Sequence, residues 1–414
     1  MPTPRPYQVT GAHFLAQRRF ALLADEMRVG KTPQAILAAR QVGAEQITVI
    51  CPAIAREQWK REWSRWGGRG RLKVLSYEQA HKADPGLRDV LIVDEAHYCK
   101  NPEAARTKFI FAKGGLAYSA RYVWALTGTP APNHAGELWV MMRCFGIINM
   151  SYSSFLRAFC IVNWQTGKVV GTKPERIPEL RGLLAQFMLR RTRKEVAPDM
   201  PGISYDIAPV KGDFDGIAID ERGYADEVLQ LQNLLAAVPA ADRAAWLERH
   251  ASDFTEFRRL TAFAKVAPAV QRIDDMLRQG TINQTVVFGF YIDPLEMARD
   301  ALQARGWRVG LINGKTSDRA RNIAMEQFRL GLLDVMLGNI MAAGTAVDFS
   351  SASYGSFLEL DWVVGNNVQA ANRLVSMQTQ QPVSMDVLTW AGSADDDVQA
   401  TLARKAGSLK AIFA

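Results

Sequence analysis

Leu22-Leu23-Ala24-Asp25-Glu26-Met27-Arg28-Val29-Gly30-Lys31-Thr32 is the stretch on which the fold reading turns. Gly30-Lys31-Thr32 has the form of the end of a phosphate-binding loop. Each residue type has a task there. Gly30 lets backbone N–H groups approach phosphate oxygens, Lys31 reaches the β- and γ-phosphates, and Thr32 offers a hydroxyl to magnesium. A helix starting near Thr32 would aim its N-terminus at the anion. The pattern is incomplete, because the first Gly of GxxxxGK[ST] falls at Asp25. A Gly-Lys-Thr tripeptide alone arises often by chance, so a second half of the site has to decide.

That second half is Leu91-Ile92-Val93-Asp94-Glu95-Ala96-His97. A buried strand running into an acidic pair can hold magnesium through Asp94 and orient or deprotonate water through Glu95. Between and around the two motifs, apolar runs alternate with helical stretches. Residues 47–50, 90–93 and 122–126 read as buried strands of a parallel sheet, each followed by small or polar residues. Ligands in such sheets bind at the carboxyl ends of strands. A second alternating pattern places strands at 285–288, 308–312, 335–337 and 356–360, with helices at 294–305 and 319–330. Residues 134–195 read as helical around a loop near 167–178, and 221–265 read as helical and charged. The expected organisation is an α/β chain with a first lobe at 1–200, a small helical insertion at 201–268 and a second lobe at 269–414.

Hydrophobic residues make up 48% of the 414, enough for a sizeable core in each lobe. No apolar run is long enough for a transmembrane helix, and Met1–Pro6 has no apolar core of a secretory leader, so a cytoplasmic protein is expected. Cys51, Cys99, Cys144 and Cys160 show no CxxC spacing, which argues against a zinc site and for reduced thiols. A net charge of +8 favours a polyanionic partner. The basic residues cluster at 60–73, including Lys60 and Arg61, and at Arg190, Arg191, Arg193 and Lys194.

With these motifs in this order, the chain resembles a superfamily 2 helicase-type motor of the Swi/Snf branch over nearly its whole length. Arg5-Pro6-Tyr7-Gln8 resembles the nucleotide-base motif, Cys51-Pro52-Ala53 with Gln58-Trp59 motif Ia, and Ser76-Tyr77-Glu78 motif Ib. Asp94–His97 is similar to motif II, and Leu126-Thr127-Gly128-Thr129-Pro130 to motif III. Met188–Val196 looks like a signature of the branch. Val286-Val287-Phe288, Asn313-Gly314-Lys315-Thr316-Ser317, Ala342–Phe349 and Gln369-Ala370-Ala371-Asn372-Arg373 resemble the second-lobe blocks in order. The resemblance implies two RecA-like lobes with parallel sheets and a DNA-dependent ATPase using ATP and Mg2+. It implies Lys31, Glu95 and Arg373 as catalytic, with Thr32 and Asp94 on the metal. Gln8, Arg28, Gly30, Gly344 and Asp348 join Lys31 and Thr32 around the nucleotide. Pro52, Tyr77, Thr127, Thr129, Phe288 and Lys315 are the implied nucleic-acid contacts.

Three departures stand against the family pattern. Arg28 replaces a loop glycine, where its cation either touches phosphate or points to solvent; Ala346 replaces a motif V glycine; and Ser376 stands where the second motif VI arginine, the finger, is usual. The expected function is an ATP-dependent translocase on duplex or branched DNA, sequence-nonspecific and monomeric, working beside replication, recombination or repair proteins. The alternative left open by Ser376 is an ATP-gated DNA binder with little hydrolysis.

Overall fold

The computed structural model describes residues 2–83, 86–163, 167–213, 233, 237–238, 251–343, 347–376, 379 and 381–413. It divides into two compact units, 1–200 with 404–414, and 201–403. Much of the expected helical stretch 221–265 (221–232, 234–236 and 239–250) lies outside the described residues, as does Gly344.

The first unit is built on six parallel strands, β1 Phe20–Leu23, β2 Gln46–Cys51, β3 Arg71–Ser76, β4 Arg88–Asp94, β5 Ala120–Leu126 and, after an antiparallel pair β6 Cys160–Val162 and β7 Val169–Thr172, β8 Met188–Leu189. Their order is β3-β2-β4-β5-β1-β8. The central strands read as unbroken apolar runs because both faces of the sheet are covered. Successive residues alternate between two cores. Leu91, Val93, Val123 and Ala125 go to one, and Val90, Ile92, Trp124 and Leu126 to the other. The second core is closed by helices α1 Pro6–Ala16, α2 Lys31–Gln41 and α3 Arg56–Arg65. The register sets the site. Leu23 pairs with Leu126 and Asp94 with Leu126, so β1, β4 and β5 end at one level and their following loops emerge together.

The second unit repeats the plan with β9 Ile203–Pro209, β10 Thr285–Gly289, β11 Val309–Ile312, β12 Val335–Asn339, β13 Tyr354–Phe357 and β14 Val383–Thr389, in the order β11-β12-β10-β13-β14-β9, all parallel. Each unit is thus the RecA-like α/β layer expected for a lobe. Three details differ from the sequence reading. Residues 203–209 are an edge strand of the second sheet, not part of a helical insertion. The segment 134–195 contains the β6–β7 pair and β8 among its helices. Residues 404–413, the end of the helix Ala394–Phe413, group with the first unit, where Ile412 is buried in its core and Arg181 donates to the Ala411 carbonyl at 2.9 Å.

Candidate nucleotide site in the first unit

The loop between β1 and α2 turns through two left-handed residues, Arg28 at φ +68° and Gly30 at φ +80°. Gly30 is the N-cap of α2, and Lys31 and Thr32 open the helix. Glycine adopts this conformation without steric cost, whereas Arg28 carries it against its own Cβ. The Lys31 ammonium folds back into the loop and donates to the carbonyls of Asp25 at 2.8 Å and Glu26 at 3.1 Å. Burial lowers the Lys31 pKa, and the fields of Glu95, Asp25 and Asp94 oppose that shift. The loop lysine and the acidic pair, distant in sequence, are therefore electrostatic neighbours.

Asp25 stands where the motif would have a glycine, and it is fully buried. It does not disturb the loop; it anchors it. Arg191 Nε donates to Asp25 Oδ1 at 3.0 Å, and a second guanidinium nitrogen reaches the other oxygen, a two-point pair. Arg191 also donates to the Tyr7 carbonyl at 2.8 Å and to Gln34 Oε1 at 2.8 Å. Gln34 in turn donates to Asp25 and to the Gly30 carbonyl, and the Tyr7 hydroxyl donates to the Val29 carbonyl at 2.9 Å. Arg190 donates to the Ala24 carbonyl at 3.0 Å. The basic run at 190–191 is thus a brace under the phosphate loop rather than a solvated face. Gly11 makes room for it, because a Cβ there would sit 1.7 Å from Gln34 Oε1.

β4 ends at Asp94, and Glu95 turns the chain with φ +53°. Asp94 Oδ2 accepts from the Trp59 indole at 2.7 Å, and Oδ1 from the Glu95 N–H at 3.1 Å. Burial, then the neighbouring Glu95, pushes the Asp94 carboxyl up to about 6, against the Trp59 hydrogen bond and Lys31. His97 Nδ1 lies 2.9 Å from the Thr127 hydroxyl and 3.3 Å from Glu95 Oε2. Thr127 also accepts from the Thr129 N–H at 3.1 Å, so motif III closes the third side of the site. Crowded, partly desolvated carboxylates beside a hydroxyl-bearing helix start form an oxygen donor set that suits a hard divalent cation, which would relieve their repulsion.

Several implied residues take other places. Tyr77 is 3% exposed, and its hydroxyl donates to the carbonyls of Asp94 at 2.7 Å and Glu95 at 3.0 Å. Thr127 and Phe288 are fully buried, the latter among Phe349 and Phe357, and Pro52 is buried too. Short apolar or small residues at a strand end look alike in sequence whether they face a ligand or the core. Gln8 is 3% exposed, and its Oε1 caps helix α1 by accepting from the Arg5 N–H at 2.9 Å. Lys315 is exposed, and Thr129 half-buried. In the second unit Asp348 is exposed, with its Oδ1 accepting from Ser350 N–H, and the Arg373 carbonyl accepts from Phe349 at 2.8 Å. Ser376 is 8% exposed, and its N–H donates to the Thr379 hydroxyl at 2.8 Å. Sequence reasoning gives Gln34 no role, places Arg191 only in the Met188–Val196 signature and Trp59 only in the Gln58-Trp59 pair of motif Ia; none of these readings joins them to Asp25 or Asp94.

Residues 7–90 and 87–211 match the SNF2-related domain family, and 268–378 match the helicase conserved C-terminal domain. Among curated proteins, the chain is similar to the mouse DNA annealing helicase and endonuclease ZRANB3, 27% identical over 97% of this chain and 40% of that protein. It is similar to the Xenopus tropicalis SWI/SNF-related matrix-associated actin-dependent regulator of chromatin subfamily A-like protein 1, at 26% over 94% of this chain and 43% of that one. A zebrafish chromodomain-helicase-DNA-binding protein 1-like is 24% identical over 92% of this chain and 41% of its own length. The chain thus spans about two fifths of the length of these relatives. Among solved structures, the Sulfolobus solfataricus SWI2/SNF2 ATPase core in complex with dsDNA aligns with 99% of this chain and 93% of its own, at 20% identity and a TM-score of 0.45.

Proposed function

This chain belongs to the SNF2-related family of helicase-like proteins, and from that premise we propose that it is a DNA-dependent ATPase that translocates on duplex or branched DNA. The observation that carries the reading is the meeting of Lys31 with Asp94 and Glu95 at the level ends of β1, β4 and β5. Such a meeting of a cation, a helix start and an acidic pair suits a nucleotide triphosphate. Lys31 exchanges its two carbonyl partners for the phosphates of ATP. Thr32 and Asp94 would hold magnesium, which supplies charge neutralisation on the phosphates when bound. Glu95, turned toward His97 and Thr127, holds and orients the attacking water. Arg373 is retained as the further catalytic residue that the family resemblance implies, and exposed cations such as Lys60, Arg61 and Lys315 grip the sugar-phosphate backbone without reading bases.

The proposal extends to a role in replication, recombination or repair and to a cytoplasmic setting. The test is ATP hydrolysis at low salt, alone and with single-stranded, duplex and forked DNA. Duplex- or fork-stimulated turnover that disappears in Lys31→Ala is the expected result; turnover indifferent to DNA would overturn it. A second reading, an ATP-gated binder with little hydrolysis, is favoured by one observation. The place of the usual second arginine is taken by Ser376, tied into a short turn with Thr379. ATP-sensitive DNA binding without turnover would select that reading.

A further inference from the structure

A buried indole N–H needs an acceptor. Trp124 donates to the Arg18 carbonyl at 3.2 Å, and Trp66 to the carboxylate of its own helix neighbour Glu62 at 2.8 Å. Trp59, 1% exposed on the inner face of α3, instead donates at 2.7 Å to the carboxylate of Asp94, a charge-assisted bond. Tyr77, at the first residue of the turn that follows β3, donates to the carbonyls of both Asp94 and Glu95. Its ring is fixed by stacking on Tyr98, with centroids 5.3 Å apart and planes 10° from parallel. These bonds meet a turn that needs holding, because Glu95 sits at φ +53°, which a residue with a Cβ adopts at a cost. The carboxylate is thus gripped at its side chain by one element and at its backbone by another.

Both elements also face solvent. α3 exposes Lys60 and Arg61, and the Tyr77–Lys82 turn exposes His81 and Lys82. Trp59 and Lys60 are adjacent residues of one short helix, so a shift of that helix when its outer cations bind a polyanion displaces the indole from, or seats it on, Asp94. We propose that Trp59 and Tyr77 are positioning residues of the Asp94–Glu95 turn, and that through them a nucleic-acid backbone on the outer faces of α3 and the 77–82 turn sets the geometry of the metal-binding carboxylate. This inference rests on the nucleotide-site reading above and adds to it the route by which DNA raises turnover.

Three variants test it: Trp59→Phe and Tyr77→Phe, which keep the ring and remove the donor, and Trp63→Phe as a packing control from the same helix and core. Thermal melting first establishes that each is folded. Fluorescent-ADP affinity is then titrated against Mg2+ without turnover, duplex affinity is measured by anisotropy, and turnover is measured with and without duplex. Trp59→Phe and Tyr77→Phe are each expected to raise the Mg2+ needed for half-maximal nucleotide binding by about tenfold or more, the range for partners of metal ligands. They are also expected to reduce the ratio of DNA-stimulated to basal turnover, with duplex affinity and nucleotide affinity at saturating Mg2+ kept. Trp63→Phe should match the wild type in each. If both donor-deleted variants track Trp63→Phe in Mg2+ dependence and stimulation ratio, the inference is wrong while the nucleotide site stands. A wild-type chain that binds no nucleotide at any Mg2+ concentration removes the site reading and this inference together. Should Trp59→Phe fail to fold, Tyr77→Phe decides alone.

Discussion

Asp25 and Arg191 show how one residue can reverse the meaning of a motif departure. The carboxylate is fully buried and the guanidinium nearly so, 0% and 15% exposed at the side chain. Removing one partner of such a pair strands the other charge away from water, which typically costs ~3–5 kcal/mol, whereas replacing both with matched neutral groups costs far less. Arg191→Ala is therefore expected to lower the stability of the first unit by that amount in a urea titration. The double variant Asp25→Asn/Arg191→Met should recover most of the loss. Equal losses in the single and double variants would mean that a stranded Asp25 charge is not what the single variant costs. Arg190 and Arg191 also donate to the Ala24 and Tyr7 carbonyls, so Arg191→Ala should weaken nucleotide binding as well as the fold.

At the scale of elements, the turn after β13 in the second unit carries an ionisable group that the sheet must keep dry. Glu359 is 5% exposed, its Oε2 accepts from the Phe290 N–H at 3.0 Å, and burial pushes its carboxyl up to about 7, opposed by Lys265. A carboxyl whose folded pKa is raised favours the folded state while protonated. Its contribution is whole below the ordinary glutamate value of 4.5 and is lost as pH rises through about 7. Between pH 5 and 8 the second unit should therefore lose stability with rising pH, by of the order of 3 kcal/mol at most. Glu359→Gln should flatten that slope and melt higher than the wild type at pH 8. Identical pH slopes for the two proteins would show that Glu359 is ionised throughout. The helix Ala394–Phe413 offers a second element-scale test. Its residues 404–413 group with the first unit, with Ile412 at 1% exposure. Truncation after 403 is expected to destabilise the first unit by ~2 kcal/mol or more, a buried isoleucine's worth plus its neighbours. Denaturant unfolding of the truncated chain checks it, since an unchanged first transition would show that the helix end adds nothing.

For the whole molecule, the formal charge of +8 becomes a statement about salt. Each phosphate neutralised on binding duplex DNA releases counterions and adds about −0.9 to the slope of log K against log salt. Lys60→Ala/Arg61→Ala should reduce that slope by up to about 2 and weaken binding alike on unrelated sequences. A changed sequence preference with an unchanged slope would contradict backbone gripping by α3.

The order of apolar runs and of the motifs by itself determines the two-lobe parallel α/β plan, because strands covered on both faces must be apolar throughout and their carboxyl ends must carry the ligand loops. Gly30-Lys31-Thr32 and Asp94-Glu95 were legible for the same reason: each residue type there has a chemical task at a fixed spacing. Edge strands were not. β9 exposes Tyr205 and Ile207 and carries no full apolar run, so nothing in 203–209 distinguishes an edge strand from a linker until β14 pairs with it. Nor could sequence tell which side chains turn inward. Tyr77, Thr127 and Phe288 occupy motif positions in the chain but core positions in space. Local sequence fixes an element and its periodicity. Only the packing of strands distant in the chain decides that Trp59 finds Asp94, that Arg191 finds Asp25, and that the Tyr77 hydroxyl reaches the backbone of the Asp94–Glu95 turn.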